Sequence, residues 1–263
     1  MKGAIHVHST YSDGEYGLAE LRALFVAQGC RFVCVTDHAK AFDISKLERY
    51  VAECAALSDD QFLFVPGLEF DCDRKLHLLG IGVTALCDAS DPQKVIEHVR
   101  RRHGIAVVAH PQDTSFQWIE SFAVLPDGIE VWNTKYDGRH APRPGTFWLL
   151  RKLRDRSGGV HAYYGQDLHW RHQHRDLLTD VDTQSLDSVM LLQSLRRGTF
   201  VGMHGQLRLP ATGEISSELL DRFTRLNRRT RRMRGLIWRL NRLRLRAGIA
   251  IPNGLKAQLR RLF

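Results

Sequence analysis

The sequence predicts an α/β protein in which short apolar strands alternate with amphipathic helices. Over the first two hundred residues, apolar runs of strand length take turns with segments whose apolar residues recur every three or four positions. The composition agrees, because 43% hydrophobic and 25% charged residues are ordinary for a folded globular chain. A length of 263 residues permits one large domain or two small ones. The alternating order of strands and helices suits either a closed barrel or a doubly wound sheet, and the apolar periodicity does not distinguish these two folds.

Each element is assigned from its local pattern. The apolar run 105–109 is the plainest strand, and residues 44–57 show the spacing of a helix. A helix over 147–156 is closed by the pair Gly158-Gly159. Strands are predicted at 4–9, 32–36, 62–65, 76–83, 105–109, 129–132, 160–164 and 199–203, and helices at 18–28, 44–57, 95–102, 147–156 and 186–196.

The positive charge is concentrated at the C-terminal end. The net charge is +9, but residues 205–263 hold fourteen arginines and one lysine against three acidic residues, a local charge of +12. The remaining residues therefore carry −3, and the basicity does not indicate the substrate of the main domain. Segments 215–226 and 228–246 have helical spacing. We expect a main domain over residues 1–205 and a basic helical extension over 206–263, with a disordered basic tail as the alternative.

Cysteine usage and hydropathy favour a cytoplasmic protein. The five cysteines stand singly, without a C-x-x-C pair, so buried free thiols are expected rather than a disulfide framework or a cysteine metal site. No segment approaches the roughly 20 apolar residues of a membrane span. The N-terminus runs directly into a polar, histidine-rich strand rather than a signal sequence.

The first strand carries a candidate metal site. Because side chains alternate along a strand, His6 and His8 are expected on the same face, where they could share one ion. Two exposed strand histidines are the alternative. Later strand ends add histidines and carboxylates, and the carboxyl ends of parallel strands meet at one face of a barrel. These later residues are Asp37, His38, Glu69, His77, His110, Glu130, Asp167 and His169.

The ordered motifs H-x-H-S-x-x-S-D-G, T-D-H, G-x-E, A-H-P and G-x-D-x-H resemble the PHP family, named for polymerase and histidinol phosphatase. The resemblance covers about residues 4–205. It implies a distorted seven-stranded βα barrel of the TIM type with a site for two or three divalent metal ions. It also implies hydrolysis of phosphate esters.

The resemblance further implies three groups of ligands. In the family pattern the first ion is bound by His6, His8, Glu69 and Asp167, the second by Glu69, His77 and His110, and the third by Asp13, His38 and His169. Imidazole and carboxylate ligands suit zinc, manganese or iron. Glu69, Asp167 and His169 are the predicted catalytic residues. Asp37 is expected to orient a ligand histidine, and Glu130 to have a structural or supporting role.

The expected reaction is attack on phosphorus by a hydroxide that adjacent cations generate at neutral pH, without a protein nucleophile. Phosphate selection needs cationic side chains at the pocket mouth. Lys40 follows the T-D-H motif, and Lys135, Arg139 and Arg143 lie in the loop 133–145 after the sixth predicted strand. For each of these four residues, a solvated loop charge is the alternative.

The leading hypothesis is a phosphatase or phosphodiesterase that acts on a small phosphorylated molecule. The basic extension keeps a nuclease acting on nucleic-acid ends as an alternative, although the −3 charge of the main domain shows no broad phosphate-binding surface. A noncatalytic binding or scaffold domain is disfavoured because every motif keeps its ligands. The extension either docks on the barrel or a second subunit, or contacts a polyanion or an anionic membrane through its arginines. The sequence does not indicate the oligomeric state.

Overall fold

The computed structural model describes residues 1–183 and 185–246, and it is built around one ten-stranded sheet with flanking helices. The strands are β1 (Lys2–Val7), β2 (Phe32–His38), β3 (Leu63–Asp71), β4 (His77–Ile81), β5 (Ile105–Ala109), β6 (Gly128–Asn133), β7 (His161–Gly165), β8 (Leu177–Val181), β9 (Phe200–His204) and β10 (Leu207–Pro210). The α-helices are α1 (Leu18–Ala27), α2 (Ile44–Ala56), α3 (Pro92–Arg101), α4 (Phe116–Glu120), α5 (Thr134–Asp137), α6 (Pro144–Arg156), α7 (Ser188–Arg197) and α8 (Ser217–Arg246).

The sheet nearly closes into a barrel. Strands β1 to β7 lie side by side in sequence order. The chain that follows β7 then returns to β1. The amides of Gln166 and Asp167 donate to the carbonyls of Ile5 and His6, at 3.0 and 2.7 Å. The amide of His8 in turn donates to a carbonyl in the returning segment. These bonds bring the first and last motifs of the predicted site side by side.

The sheet differs from the prediction in strand number and direction. The described part of the chain has ten strands where seven were expected, because β8, β9 and β10 form an antiparallel extension that joins β1 through Lys2 and Gly3. Strands β8 and β10 are short and mix apolar with polar positions, so their patterns were too weak to be recognised. In addition, β4 runs antiparallel to both β3 and β5, so the sheet is not uniformly parallel.

Local sequence explains where the helices begin and end. At the N-termini of α2, α3 and α7, the carboxylates of Asp43, Asp91 and Asp187 accept hydrogen bonds from backbone amides of the first turn. Helix α7 ends at Gly198, whose φ of 72° is a left-handed conformation that glycine adopts without steric cost. The predicted helices are therefore present with small shifts at their ends. Among the described residues, no helix is long and apolar enough to cross a membrane.

The core lies within and around the barrel strands. Strands β5, β6 and β7 are buried at every position. Strand β5 is apolar throughout, whereas β6 and β7 include the buried polar residues Glu130, Asn133 and His161. The expectation of free thiols is confirmed, because the five cysteines are unpaired and all except Cys87 are buried. Burial raises the pKa of the Cys72 thiol to about 12 and that of Cys30 to about 11.

Helix α8 begins on the sheet and ends away from it. Phe223 is 2% exposed and packs against Trp132 and Phe147. The two predicted helical segments are one continuous helix, and strand β10 pairs with β9 across the predicted boundary at residue 205. The division of the chain into two domains stays a prediction. The part of the extension after residue 246 lies outside the described residues.

Candidate metal centre

All nine predicted metal ligands meet at one end of the barrel. This ligand cluster consists of His6, His8, Asp13, His38, Glu69, His77, His110, Asp167 and His169. Most of them lie at or just after the C-terminal ends of strands, as the prediction required. His77 is different, since it is the first residue of β4. Because β4 is antiparallel, its N-terminal end pairs with Asp71 and Ala109 at the C-terminal ends of β3 and β5.

His6 and His8 reach the cluster through a bulge, and simple strand alternation is therefore the wrong explanation. The register of β1 against β2 shifts between Ile5 and Val7, and His6 has a φ of 61°. His8 follows the end of the strand. The Nε2 atoms of His6 and His8 are 3.1 Å apart, and both side chains are fully buried. An extra residue in the bulge re-aims His6 toward the cluster.

Glu69 lies at the centre of the cluster and is 1% exposed. Its Oε1 atom is 2.8 Å from Nδ1 of His77 and 3.2 Å from Nε2 of His110. Its Oε2 atom is 3.2 Å from Nε2 of His8 and 3.4 Å from Nδ1 of His38. The two carboxylate oxygens thus face different sets of histidines, which is the arrangement that a carboxylate shared by two cations requires.

Asp167 links the centre to the loop after β7. Its Oδ1 atom is 3.6 Å from Nε2 of His8 and 3.1 Å from Nδ1 of His169. The Nζ atom of Lys135 is 3.2 Å from the same Oδ1 and 3.2 Å from Nε2 of His169. One of the four predicted substrate-binding cations therefore lies beside the cluster.

Asp13 and its neighbours form the outermost group. The Oδ1 atom of Asp13 is 3.3 Å from Nε2 of His169 and 3.6 Å from Nδ1 of His8, and its Oδ2 is 3.7 Å from Nε2 of His38. The side chain of Asp13 is 56% exposed, whereas those of Glu69 and Asp167 are buried. This group faces solvent more than the other groups do.

The spacing of these atoms fits bound cations. Two ligand atoms on one ion, each about 2.1 Å from it, are separated by roughly 3.0–3.4 Å. Many of the nitrogen–oxygen separations in the cluster fall in or near this range. In addition, Nδ1 of His8 and Nδ1 of His38 are buried and have no hydrogen-bond partner within the described part of the protein. Such atoms are costly unless something binds them, and a metal ion would do so.

The groups of ligand atoms differ in part from the expected division. Asp13, His38 and His169 do lie together, but His8 joins them. Glu69 and His77 group with His38, whereas His110 groups with His6 and Asp167; a further group is formed by His6, His8 and Glu69. The cluster offers four overlapping sets of ligands, and several side chains belong to more than one.

Glu130 orients the first histidine. Its Oε1 atom is 2.7 Å from Nδ1 of His6, while its Oε2 accepts hydrogen bonds from the backbone amide of His110 and from Nδ2 of Asn133, each at 2.8 Å. Nδ2 of Asn133 also lies 3.2 Å from Asp167. A carboxylate on the far nitrogen of a ligand histidine fixes its ring orientation and strengthens it as a ligand. Gly165 leaves room for this contact, because a Cβ there would lie 1.7 Å from Oε1 of Glu130.

Asp37 has a different role from the one expected. It accepts hydrogen bonds from the backbone amide and hydroxyl of Ser9, at 2.8 and 2.6 Å, and from the hydroxyl of Ser12. No hydrogen bond between Asp37 and a histidine is found among the described residues. Burial raises the pKa of Asp37 to about 6, against the opposing effect of these three donors. Asp37 therefore holds the loop between His8 and Asp13.

Burial and close charges shift the pKa values within the cluster in opposite directions. Burial lowers the pKa of His8 to about 3. Burial also acts to lower the pKa of His169, but the carboxylates of Asp13 and Asp167 outweigh it and raise that pKa to about 9. For Glu69 and Asp167, burial opposes ionisation, yet the neighbouring histidines hold both carboxyl pKa values well below the ordinary range. The two buried carboxylates are therefore anionic and attract cations.

Three cluster residues have backbone conformations that non-glycine residues rarely adopt. The φ angles are 61° at His6, 29° at His110 and 52° at Asp167. Each such residue costs on the order of 1–3 kcal/mol, and such costs concentrate at functional sites. The fold thus accepts local strain at three residues whose side chains converge.

The other predicted substrate-binding residues lie farther from the centre of the cluster or are engaged by protein groups. Lys40 is exposed and its Nζ donates to Asp71 at 3.0 Å. Arg143 is buried, where its guanidinium pairs with Asp137 and donates to the carbonyl of Pro111 at 2.7 Å. These bonds favour a structural role for Arg143. Arg139 lines a hollow of about 290 Å³ between its own loop and α8.

Tyr136 is a residue that sequence reasoning missed. Its ring stacks on His110 with 4.4 Å between centroids, and burial raises its pKa to about 12. Tyr136 and His110 line a cleft of about 650 Å³, together with His77, Arg74, Lys75 and Gln112. The signal was present, because β6 ends at Asn133 and Tyr136 lies just after it, at the strand end where barrel enzymes place functional residues.

The chain matches a family model and is similar to several known proteins. The PHP domain family model matches residues 4–227. Over 133 residues the chain is 28% identical to the DNA polymerase/3'-5' exonuclease PolX of Bacillus subtilis, a match that covers 42% of this chain and 23% of PolX. The chain thus spans less than a quarter of the length of that relative.

Two solved structures share the fold. The first is a two-domain protein from Bacteroides vulgatus that contains a predicted PHP-like metal-dependent phosphoesterase, with 17% identity, a TM-score of 0.52, and coverage of 80% of this chain and 66% of that one. The second is an amidohydrolase from Chromobacterium violaceum with bound sulfate and no metal, with 15% identity, a TM-score of 0.50, and coverage of 71% and 92%. Because the family model matches residues 4–227, which run from strand β1 into helix α8 and include the whole ligand cluster, the chain belongs to the PHP domain family.

Proposed function

We propose that this protein is a metal-dependent phosphatase or phosphodiesterase that acts on a small phosphorylated molecule. The observation that carries the proposal is the convergence of nine histidine and carboxylate side chains around Glu69, next to an open cleft. Membership of the PHP family supports metal-dependent phosphoester hydrolysis as the class of reaction.

In this proposal, the ligand cluster binds two or three divalent ions of zinc, manganese or iron. When bound, such ions supply a hydroxide at neutral pH and neutralise the charge that develops on the phosphoryl oxygens. Glu69 is proposed as the shared ligand, because its two oxygens face separate histidines. Glu130 positions His6 for binding, and Asp37 holds the loop that carries Asp13.

The residues around the cluster are suited to hold a phosphoryl group. Lys135 places its ammonium group within about 6 Å of the ring centres of Tyr136 and Trp170, and beside Asp167 and His169. An anionic substrate oxygen there would gain a charge-assisted hydrogen bond. The adjacent cleft of about 650 Å³ is in the size range of small-molecule pockets, and Arg74 and Lys75 add positive charge to its wall. We propose that the leaving group occupies this cleft.

A nuclease is the second candidate, because the relative with 28% identity is named a DNA polymerase/3'-5' exonuclease. That activity belongs to a much longer protein, of which the match covers 23%. The two candidates differ in the substrate that must fit. A small phosphoester needs only the cleft, whereas a nucleic-acid end also needs a path for the rest of the strand.

The test is a substrate panel with metal-loaded protein. p-Nitrophenyl phosphate, bis(p-nitrophenyl) phosphate and a short single-stranded oligonucleotide would each be incubated with protein of measured metal content. Hydrolysis of a small ester that chelator abolishes and added metal restores would support the proposal. Cleavage of the oligonucleotide alone would favour the nuclease. Failure on all three substrates, with two ions bound, would contradict both candidates.

A further inference from the structure

The outer part of helix α8 has an apolar stripe that no other part of the described protein covers. Met233, Leu236, Leu240 and Leu243 are spaced by three, four and three residues, so they align on one face of the helix. Their exposed fractions are 40%, 58%, 55% and 60%. We call these four residues the α8 stripe. Single exposed apolar residues are ordinary on a soluble surface, but a contiguous row marks a contact site.

The α8 stripe is not the face by which the helix docks on the barrel. Docking uses Phe223 and Asn227, which are buried, and Arg234, which donates to the backbone carbonyl of Tyr136. At about 100° of rotation per residue, this docking face is roughly 140° around the helix from the stripe. The stripe therefore faces away from the body of the protein.

The charge around the stripe is of one sign. Arginine is the only charged residue type between residues 222 and 246, and neither lysine nor any acidic residue occurs there. Arg232 and Arg239 lie on one flank of the stripe. Arg244 borders its other flank, and Arg229 lies in line with it. Trp238 is 61% exposed but lies on the opposite side of the helix, so it is not part of the stripe.

We infer that the outer part of α8 lies on the surface of an anionic lipid bilayer. The Leu and Met side chains would enter the boundary between headgroups and acyl chains, while the flanking arginines contact lipid phosphates and carboxylates. Arginine stems allow the guanidinium groups to reach the headgroups from beside a buried stripe. The arrangement is that of an in-plane helix, not of a spanning one.

The charge pattern argues against two other occupants. A second copy of the outer part of this helix would bring two rows of arginine together with no acidic residue between 222 and 246 to pair with them, which costs free energy unless anions intervene. Nucleic acid would pair with the arginines, but it would leave the α8 stripe in water, so the stripe would contribute nothing. A bilayer with anionic headgroups uses both the apolar row and the arginines.

The test is vesicle flotation with the full chain. We expect the protein to float with vesicles of phosphatidylcholine and phosphatidylserine, not with phosphatidylcholine alone, and to detach as salt rises. Combined Leu236→Gln, Leu240→Gln and Leu243→Gln should weaken binding at least about tenfold while keeping every arginine and the helix propensity. Val189→Gln with Met190→Gln is the matched control, because these residues are exposed on α7.

Three results would overturn the inference. The first is failure to float with anionic vesicles, or equal flotation with neutral ones. The second is that the protein binds a DNA duplex but no vesicles, and that the leucine substitutions leave its DNA binding unchanged. This result would assign the surface to nucleic acid. The third is a dimer in sedimentation experiments that the leucine substitutions dissociate, because that would show the stripe to be an interface between two copies. Circular dichroism of each variant verifies that the fold is kept.

Discussion

At the scale of single residues, the site depends on a few buried carboxylates that contact histidines or hydrogen-bond donors. Glu69 is 1% exposed and has four histidines within 3.4 Å of its two oxygens. Asp37 and Glu130 were both expected to support the site, and the structure separates their roles. Glu130 contacts a ligand histidine directly, whereas Asp37 acts on the loop through Ser9 and Ser12.

Glu69→Gln should reduce turnover at least about 10²-fold and lower metal content, because it removes the charge that two sets of ligands share while conserving volume. The measurements are kcat with the best ester and elemental analysis of the loaded variant. His98→Ala is the control, since His98 is buried against Phe70 beside Glu69 and its Nε2 is 3.0 Å from the carbonyl of Ala85. It should lose stability but keep near-normal kcat. Equal losses of activity in the two variants would contradict the assignment.

Gly165→Ala should weaken metal binding by about 10–100-fold, because its Cβ would occupy the place of the Glu130 carboxylate beside His6. Gly158→Ala is the control, because a Cβ at that position meets nothing within 4 Å. The measurement is competition with a chromophoric chelator, together with the melting temperature. Should Gly165→Ala fail to fold, Glu130→Gln tests the same contact. A wild-type metal affinity in Glu130→Gln would show that Glu130 does not tune His6.

At the scale of elements, helix α8 is part of the folded body up to Arg234, the last residue of its docking face. The domain boundary predicted at residue 205 implies that residues after about Arg208 could be removed without effect on chemistry. The structure changes this expectation, because such a cut would remove the second half of β10 and the buried Phe223. Arg234 also contacts the backbone of Tyr136, whose ring stacks on His110. A cut after Gly235 keeps these contacts and removes most of the α8 stripe.

Phe223→Ala should destabilise the protein by about 3–5 kcal/mol, the usual cost of emptying a buried phenylalanine site. Leu236→Ala, thirteen residues farther along the same helix and 58% exposed, should change the unfolding free energy by no more than about 0.5 kcal/mol. Urea denaturation followed by circular dichroism measures both. Similar values for the two variants would mean that α8 does not dock through Phe223.

At the scale of the whole molecule, the sheet nearly closes into a barrel where the chain after β7 returns to β1, and this return completes the ligand cluster. The bonds from Gln166 and Asp167 to β1 place Asp167 beside His6 and His8. Residues more than 150 positions apart in sequence thereby share one site. Metal binding at this junction should therefore stabilise the closed sheet as well as enable chemistry.

Fully loaded protein should contain two or three divalent ions per chain. The ion bound by the outermost group should be lost first, because its ligand Asp13 is 56% exposed. Elemental analysis before and after gel filtration measures the stoichiometry. Removal of all ions by chelator should lower the melting temperature, because the ions bind and stabilise the folded state but not the unfolded chain. A maximum of one ion per chain, or a melting temperature that chelator leaves unchanged, would contradict the multinuclear site.

The sequence by itself determined the α/β alternation and the approximate positions of the main helices, because helix caps and apolar periodicity are each written within a few consecutive residues. The nine cluster residues were indicated by the resemblance of its ordered motifs to the PHP family, and His77 lies outside those motifs. Only the tertiary structure decided how the ligands group, why His6 and His8 converge, and what Glu130 and Asp37 contact. Those features depend on the bulge in β1, the reversed direction of β4 and the return of the chain to β1. Each arises from pairing between residues distant in sequence, which no local pattern records.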